Sequence, residues 1–243
     1  MKATFKVKVL QGETPPEPSF VGTRITIDVP AETLRWGANS LTLDAGSSGI
    51  TIDWGDGTVE TFTGSVSRHV HNYERPGIHK VTISDDVRTI MLSTTAGDFK
   101  TIYAPMIKAF EARSSKLKSI GGFGMIGLVN MTTLDIRETT IDTIGTSVFL
   151  DCTSLASLDG LPRGLTKLAN SCFKNCTGIV GKVYLPHVNS VSGTTSSSAP
   201  FAGCTGITEI HFSEENRAAI ETSSIYQVDN RLGAPNATLF FDP

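Results

Sequence analysis

The sequence predicts an all-β chain in which a β-sandwich is followed by a short, irregular β-solenoid and a small C-terminal cap. Three observations carry this prediction. Short alternating segments fill the first half, related segments recur in the second half at spacings of 24 and 28 residues, and about thirty C-terminal residues break that repeat. Many short strands between turn signals are typical of sandwiches, and a period in the twenties is typical of solenoids.

The composition is that of a globular chain without an electrostatic preference for nucleic acid. Of the 243 residues, 39% are hydrophobic and 19% are charged, which is enough for one large or two modest domains. The net charge of −3 predicts no affinity for nucleic acid or an anionic membrane. No apolar run approaches the roughly 18 residues that a membrane span requires.

The first half divides into short predicted strands. TFKVKVL and TRITIDV alternate with period two, and the proline-rich GETPPEPS between them cannot lie in a central strand. NSLTLD, GITIDW, TVETF, RHVHNY and HKVTIS follow at short intervals. The N-terminal MKATFKVKVLQGE lacks a continuous apolar stretch, so we interpret it as a strand and not as a signal peptide. We predict N-terminal strands or an attachment segment over residues 1–33 and a sandwich over residues 34–86.

The segment ITIDWGDGTVE, residues 50–60, is interpreted as a hairpin. Asp56-Gly57 is a strong turn dipeptide because glycine adopts positive φ at no steric cost, and the aspartate can accept backbone N–H bonds. The side chains that period two places on one face are Ile50, Ile52 and Trp54. A rival calcium site would use Asp53, Asp56 and Glu60. Calcium prefers six to eight oxygen ligands, and the loop lacks the alternating acidic residues of a dedicated site.

Three segments of the second half align as repeats: SVFLDCTSLASLDGLP, SCFKNCTGIVGKVYLP and APFAGCTGITEIHF. Each contains Phe-x-x-Cys-Thr and then an aliphatic residue two positions after the threonine. The equivalent residues are Phe149, Phe173 and Phe201; Cys152, Cys176 and Cys204; and Leu155, Ile179 and Ile207. Stacked repeats place equivalent side chains above one another. We therefore predict one short strand per repeat and a buried column of cysteines, since thiols are small and apolar.

Less regular copies extend the predicted repeats over residues 87–212. AFEARSSKLKSI keeps the phenylalanine and two aliphatic positions, and NMTTLDI places Met131 where the cysteine falls. TTSSSAP, residues 194–200, is predicted to be an insertion in one repeat. Residues 213–243 carry a short helical segment and then NATLFF, and we predict that they cap the open end of the solenoid.

Part of the first half, residues 40–84, resembles a PKD domain. The resemblance consists of a Trp-Gly-Asp-Gly-Thr hairpin, then His-x-Tyr-x-x-Pro-Gly and a closing Val-Thr strand. The matching residues are Trp54, Gly55, Asp56, Gly57, Thr58, His71, Tyr73, Pro76, Gly77, Val81 and Thr82. The resemblance implies an immunoglobulin-like sandwich in which His71 packs and hydrogen-bonds beside the hairpin.

The second half, over about residues 88–212, is similar to BspA-type leucine-rich repeats. In that family Ala-Phe-x-x-Cys-Thr-x-Leu and a terminal Leu-Pro recur. The three clear copies keep Phe-x-x-Cys-Thr and the aliphatic residue, and the first two end in Leu-Pro. The resemblance implies a surface protein of bacteria or protists used in adhesion. Similar chains that combine PKD and repeat segments occur among phage and prophage structural proteins. Neither family is catalytic as a rule.

No catalytic, cofactor-binding or metal-binding residue is predicted. His69 and His71 share one face and His79 is close in sequence, but zinc sites need three or four ligands and no partner stands at a suitable spacing. Cys172 lies outside the cysteine column, and four cysteines invite zinc or redox chemistry, yet the column explains the other three. GGFGMIG, residues 121–127, lacks the strand–loop–helix context of a dinucleotide loop, so we predict a bend.

The predicted function is therefore non-enzymatic binding or adhesion, with a repeat surface that recognises a protein or glycan on a host or cell surface and with no cofactor. The predicted location is extracellular, on a bacterial cell surface or a phage particle. The alternative is a structural component of a virion, such as a tail, fibre or capsid-decoration protein, which can itself be the adhesin. The lack of a predicted signal peptide favours this alternative, and TFKVKVL would then pair with another subunit as an edge strand.

Overall fold

The structure, a computed structural model, describes residues 20–36, 41–45, 49–67, 69–92, 102–122 and 124–243. The predicted strand TFKVKVL and the connector GETPPEPS lie outside these described residues. Within them the protein is mostly β with few helical residues, as the sequence predicts. We call the described residues from 20 to 92 the hairpin half and those from 102 to 243 the repeat half.

The described residues form mostly short strands, and the two α-helices found among them lie near the C-terminus. The strands of the hairpin half are β1 (Gly22–Val29), β2 (Arg35–Trp36), β3 (Leu41–Asp44), β4 (Gly49–Asp53), β5 (Val59–Thr63), β6 (Val66–Ser67), β7 (His71–Asn72), β8 (Gly77–Ile83) and β9 (Thr89–Leu92). Those of the repeat half are β10 (Ile107–Arg113), β11 (Ser119–Ile120), β12 (Thr133–Asp135), β13 (Thr143–Ile144), β14 (Lys167–Leu168), β15 (Gly181–Leu185), β16 (Ser190–Val191), β17 (Ile207–Ser213) and β18 (Thr238–Asp242). The α-helices are α1 (Arg217–Glu221) and α2 (Ser224–Val228).

Two larger sheets organise the hairpin half. One has the strand order β12-β10-β1-β8-β4-β5 and the other has the order β11-β9-β3-β6. The predicted strands TRITIDV, GITIDW, TVETF and HKVTIS are confirmed as β1, β4, β5 and β8. RHVHNY contributes only the two-residue strand β7, which pairs with β2, a strand that the sequence analysis did not predict.

The predicted period-two alternation is confirmed in the core of this half. The buried apolar side chains of β1 are Ile25, Ile27 and Val29, and those of β4 and the turn that follows it are Ile50, Ile52 and Trp54. Each of these side chains is shielded almost completely from solvent, so the two strands face the core with alternate residues.

The same two sheets continue from the hairpin half into the repeat half. β10 pairs antiparallel with β1, from Gly22 opposite Arg113 to Ile27 opposite Ile107, and on its other side it pairs parallel with β12. β9 likewise pairs antiparallel with β3 and parallel with β11. Consequently the buried residues of both halves form one continuous hydrophobic cluster.

Parallel strands of the repeats line up in two ladders, each with one break in its strand pairing, where one strand per repeat was predicted from the sequence. The inward residues of the first ladder, in β9, β11, β13, β14 and β16, are Ile90, Ile120, Ile144, Leu168 and Val191. Those of the second ladder, in β10, β12, β15, β17 and β18, are Phe110, Leu134, Val183, Ile210 and Leu239. The strands of the first ladder after β9 are only two residues long, too short to leave a visible alternation in the sequence.

The predicted columns of equivalent side chains are confirmed. The ring of Phe173 stacks on Phe149 with centroids 5.3 Å apart and on Phe201 with centroids 5.8 Å apart, and the rings are within 9° of parallel. Stacked rings of this kind add to the stabilisation that their burial provides. All three rings are fully buried.

The cysteine column is held by hydrogen bonds between successive repeats. The thiol of Cys176 donates to the carbonyl of Phe149 at 3.0 Å, and the thiol of Cys204 donates to the carbonyl of Phe173 at 3.0 Å. The thiol of Cys152 donates in the same way to an earlier carbonyl. Cysteine therefore suits this position because it is small and apolar and can still donate one weak bond.

The predicted position of Met131 is wrong by three residues. The carbonyl of Met125 accepts the thiol of Cys152, so Met125 stands at the phenylalanine position. Leu128 then stands at the cysteine position and Met131 at the aliphatic position, since the Met131 N–H donates to the Leu128 carbonyl as the Leu155 N–H does to Cys152. Residues 124–127 form a turn, as predicted for GGFGMIG.

The irregular spacing near the C-terminus has a local cause. Equivalent residues are 23 apart at Leu168 and Val191 but 28 apart at Phe173 and Phe201, so five extra residues lie before Phe201. The predicted insertion TTSSSAP contains a single 3₁₀ turn, Ser196–Ser198. The segment predicted as a cap supplies β18, which pairs parallel with β17 and continues the second ladder.

Candidate recognition face

The segment ITIDWGDGTVE forms the predicted hairpin between β4 and β5. The Trp54 N–H donates to the Thr58 carbonyl at 3.0 Å, and a carboxylate oxygen of Asp56 accepts the Thr58 N–H at 2.9 Å. Gly55 has φ of +77°, and a Cβ there would lie 2.7 Å from the backbone of Lys80. The turn thus needs glycine for its backbone conformation and for its close approach to β8.

The histidines beside this hairpin act as packing groups. The imidazole of His71 stacks on Trp54 with centroids 4.7 Å apart and planes 4° apart, and its Nε2 lies 2.7 Å from the second carboxylate oxygen of Asp56. His69 also stacks on Trp54 and lies 2.7 Å from Glu60, which accepts the indole N–H. This is the role that the resemblance implied for His71. Asp53 accepts the Gly55 N–H at 2.9 Å, so all three carboxylates of the rival calcium site contact protein groups.

Hydrogen bonding and burial shift the pKa of the Asp56 carboxyl in opposite directions. Its partial burial raises the pKa of the carboxyl, but the hydrogen bonds from His71 and from Thr58 lower it more, so the pKa of Asp56 lies below its usual value. Within the described ranges, no three His, Cys, Asp or Glu side chains converge in a way that could hold a metal ion.

All four cysteines are buried and free of disulfide bonds. Burial raises the pKa of the Cys204 thiol to about 12 and raises the pKa of Cys172 further. For Cys176, the hydrogen bond to Cys152 and then burial raise the pKa well above its ordinary value. Thiols in this state are poor nucleophiles and poor metal ligands, since the thiolate is the reactive form.

The second ladder presents a row of aromatic rings on its outward face. Tyr184, His211 and Phe240 lie opposite one another on β15, β17 and β18. The ring centroids of Tyr184 and His211 are 4.7 Å apart, and those of His211 and Phe240 are 4.9 Å apart. Tyr184 is 55% exposed and Phe240 is 40% exposed, while the ring between them is 9% exposed. We call these three residues the aromatic row.

Charged neighbours fix the ring at the centre of the aromatic row. The Nδ1 atom of His211 lies 2.9 Å from a carboxylate oxygen of Asp242, and its Nε2 atom lies 2.9 Å from Glu209. Glu209 also pairs with Lys182 at 2.9 Å, and the pKa of this carboxyl is lowered first by Lys182 and then by His211. The imidazole is therefore held at both nitrogens and on both faces.

The aromatic row was not among the features predicted from the sequence. A signal was present, because the outward residues of Lys-Val-Tyr, Glu-Ile-His and Thr-Leu-Phe occupy the same positions in three successive strands. From the sequence, the segments of the repeat pattern were predicted only to form strands. The three side chains align only if the strands are parallel and in this register. The Thr-Leu-Phe segment lies outside the Phe-x-x-Cys-Thr repeats, so its register could not be predicted from the repeat pattern.

The stacked repeats, with parallel strands and periodic buried aliphatic residues, define a leucine-rich-repeat protein. The sequence model described as BspA type Leucine rich repeat region matches the chain in six copies, over residues 73–208 and 118–231. The two matches together span more than half of the 243 residues. The chain belongs to the BspA-type leucine-rich repeat family, as its resemblance to that family predicted.

Among solved structures, the chain is similar to the crystal structure of the T. pallidum leucine-rich repeat protein TpLRR. The two are 13% identical, the match covers 64% of this chain and 70% of that one, and the TM-score is 0.38. No curated protein matches the chain. In the part of the chain that the structure describes, no helix is long and apolar enough to cross a membrane.

Proposed function

We propose that this chain is a non-enzymatic binding protein that recognises a protein or glycan ligand on a cell surface through the outward face of β15, β17 and β18. The observation that carries the proposal is the aromatic row, in which two exposed rings stack on either side of a histidine across three neighbouring strands. Membership of a repeat family supports it, because stacked repeats build extended surfaces for recognition.

The aromatic row has the properties of a binding anchor. Tyrosine and other aromatic side chains contribute strongly to interfaces because they bury a large area with few rotatable bonds. The rings of Tyr184 and Phe240 are held by stacking before any partner arrives, which reduces the side-chain entropy lost on binding. Lys182 and Glu209 border the rings and supply charged hydrogen-bonding groups.

The first half is proposed to be a PKD-like, immunoglobulin-type sandwich that holds the repeat half on a carrier. The stack of His71 on Trp54 and the hydrogen bonds of the Asp56 turn support this assignment. The proposed location is extracellular, on a bacterial cell surface or a phage particle. The virion component also stays a prediction, and mass spectrometry of purified particles from the source would test it.

Arrays of host-surface proteins and glycans, probed with the full chain, test the binding function. We expect Tyr184→Ala and Phe240→Ala each to weaken binding to any captured ligand by about tenfold, which corresponds to the loss of one interface anchor. Val228→Ala is the matched control, because Val228 is exposed to a similar extent (58%) but lies in α2. Equal binding by all three variants, or no binding by the unaltered chain, would contradict the proposal.

A further inference from the structure

The outward face of the second ladder is interrupted beside the aromatic row. Residues 156–160 occupy the strand position between β12 and β15, and the Ile136 N–H donates to the Gly160 carbonyl at 2.7 Å, but these residues form no strand. A pocket of about 340 Å³ opens at this interruption, and Tyr184, the first ring of the aromatic row, forms one of its sides.

The floor of this pocket is aliphatic. The buried side chains that line it are Leu158, Leu161, Pro162, Leu165, Leu185 and Val188. None of these side chains donates or accepts hydrogen bonds, so the floor would leave buried hydroxyl groups of a sugar without partners at a substantial cost. The volume lies at the lower end of the range of about 300–1,000 Å³ found for ligand pockets. These properties favour one bulky apolar group.

Two arginines line the mouth of the pocket, and only one of them is paired with a carboxylate of the described residues. Arg137 forms two hydrogen bonds with Asp135, at 2.9 and 2.8 Å. Asp135, and more weakly Glu138 and Asp159, raise the pKa of this guanidinium, and Asp159 also lines the pocket. Arg163 also lines the pocket and is exposed, and no hydrogen bond or ion pair to it is found among the described residues. Arg163 is therefore the cation at the mouth that is available to an anionic group.

We infer that this pocket binds a bulky apolar side chain of a partner protein, next to a carboxylate of the same segment that pairs with Arg163. The inference rests on the proposed binding function and specifies its ligand as an acidic protein segment. A guanidinium matches a carboxylate with two parallel hydrogen bonds, which adds geometric selectivity to the apolar contact. The ring of Tyr184 joins this pocket to the aromatic row, so one segment would contact both.

A synthetic peptide array tests the inference with the full chain. Its acetylated hexapeptides carry leucine, phenylalanine, tryptophan or alanine at the third position and aspartate, asparagine or lysine at the fourth, among glycine and serine. We expect the tightest binding, measured by fluorescence polarisation, for peptides with both a bulky apolar residue and aspartate. Replacing the aspartate with asparagine is expected to weaken binding about tenfold, the effect of losing one charge-assisted pair.

Two variants identify the contact. We expect Arg163→Gln to remove the preference for aspartate over asparagine while it leaves the preference for a bulky apolar residue. Arg75→Gln, at an exposed arginine in the hairpin half, is the control and should change neither preference. Binding that is indifferent to the aspartate, an unchanged preference in Arg163→Gln, or no binding of any peptide would each overturn the inference.

Failure of the pocket inference can be distinguished from failure of the proposed binding function. If Tyr184→Ala weakens capture of a surface ligand on the arrays but Arg163→Gln does not, the aromatic row binds without the pocket. In that case the binding function stands and the pocket inference falls. If both variants weaken capture of the same protein and neither changes the unfolding midpoint, both proposals are supported.

Discussion

The hairpin half and the repeat half both bury aliphatic side chains, but they position their aromatic rings by different contacts. In the hairpin half, Trp54 is positioned by His71, and His71 is oriented by the single carboxylate of Asp56. In the repeat half, Phe173 lies between two identical rings, one from each neighbouring repeat. The first arrangement depends on individual polar contacts, and the second depends on the repetition of one packing arrangement.

This difference has an energetic consequence. A polar contact contributes modestly to stability, because folding exchanges it for hydrogen bonds with water. The burial of a phenylalanine contributes several-fold more, and its loss also leaves a cavity that neighbours fill only partly. The repeat half should therefore be most sensitive to changes of side-chain volume, and the hairpin turn should be sensitive to charge and pH.

The largest effect is expected for Phe173→Ala, which removes the central ring of the column. We expect a loss of about 3–5 kcal/mol in the free energy of unfolding, measured by urea denaturation. Phe240→Ala is the control, because Phe240 is 40% exposed and lies outside the core. A similar loss in both variants would show that the buried column has no special role in stability.

The next largest effect is expected for Gly160→Ala, at the interruption of the second ladder. A Cβ at residue 160 would lie 1.7 Å from the carbonyl oxygen of Leu134, so the backbone must move. We expect a loss of about 1–3 kcal/mol, as for other overpacked sites. Gly164→Ala is the matched control, since a Cβ there meets no atom within 4 Å. Equal thermal midpoints for the two variants would contradict the close approach of the backbones.

A smaller effect is expected for Cys176→Ala in the cysteine column. The substitution removes a buried sulfur and leaves the Phe149 carbonyl without its thiol donor, which should cost about 1–2 kcal/mol. A thiol reagent provides a second measurement: we expect no reaction with the native chain at pH 8 and four reactive thiols in denaturant. Rapid labelling of the native chain would show that the column is accessible.

The smallest effect is expected for Asp56→Asn, which should change how the stability of the fold depends on pH. Its pKa is lowered in the folded chain from an ordinary value of 3.8, so the charged carboxylate stabilises the fold at pH values above that. This stabilisation is lost as the pH falls from about 4 through the lower folded pKa. We expect Asp56→Asn to cost about 1 kcal/mol at pH 7 and to flatten the fall in stability below pH 4. A pH profile parallel to that of the unaltered chain would exclude this role.

Local patterns predicted much of the fold and little of the recognition face. The Asp56-Gly57 turn and the spacing of Phe149, Phe173 and Phe201 were predictable, because turn chemistry and repeat period are properties of short segments. The pairing of β2 with β7 was not predictable, since two-residue strands leave no alternation. Met131 was misplaced because methionine and leucine replace the phenylalanine and cysteine of the standard repeat.

The amino-acid sequence by itself determined the hairpin turns, the repeat family and the burial of the cysteine column, since each depends on residue types at fixed short spacings. Only the tertiary structure decided that the repeats build two ladders, that β9 and β10 join these ladders to the hairpin half, and that Tyr184, His211 and Phe240 meet. These features depend on strand register between residues from 23 positions apart, as for Leu168 and Val191, to 91 positions apart, as for Gly22 and Arg113. Register is set by packing of the whole core, and no local pattern of residues encodes it.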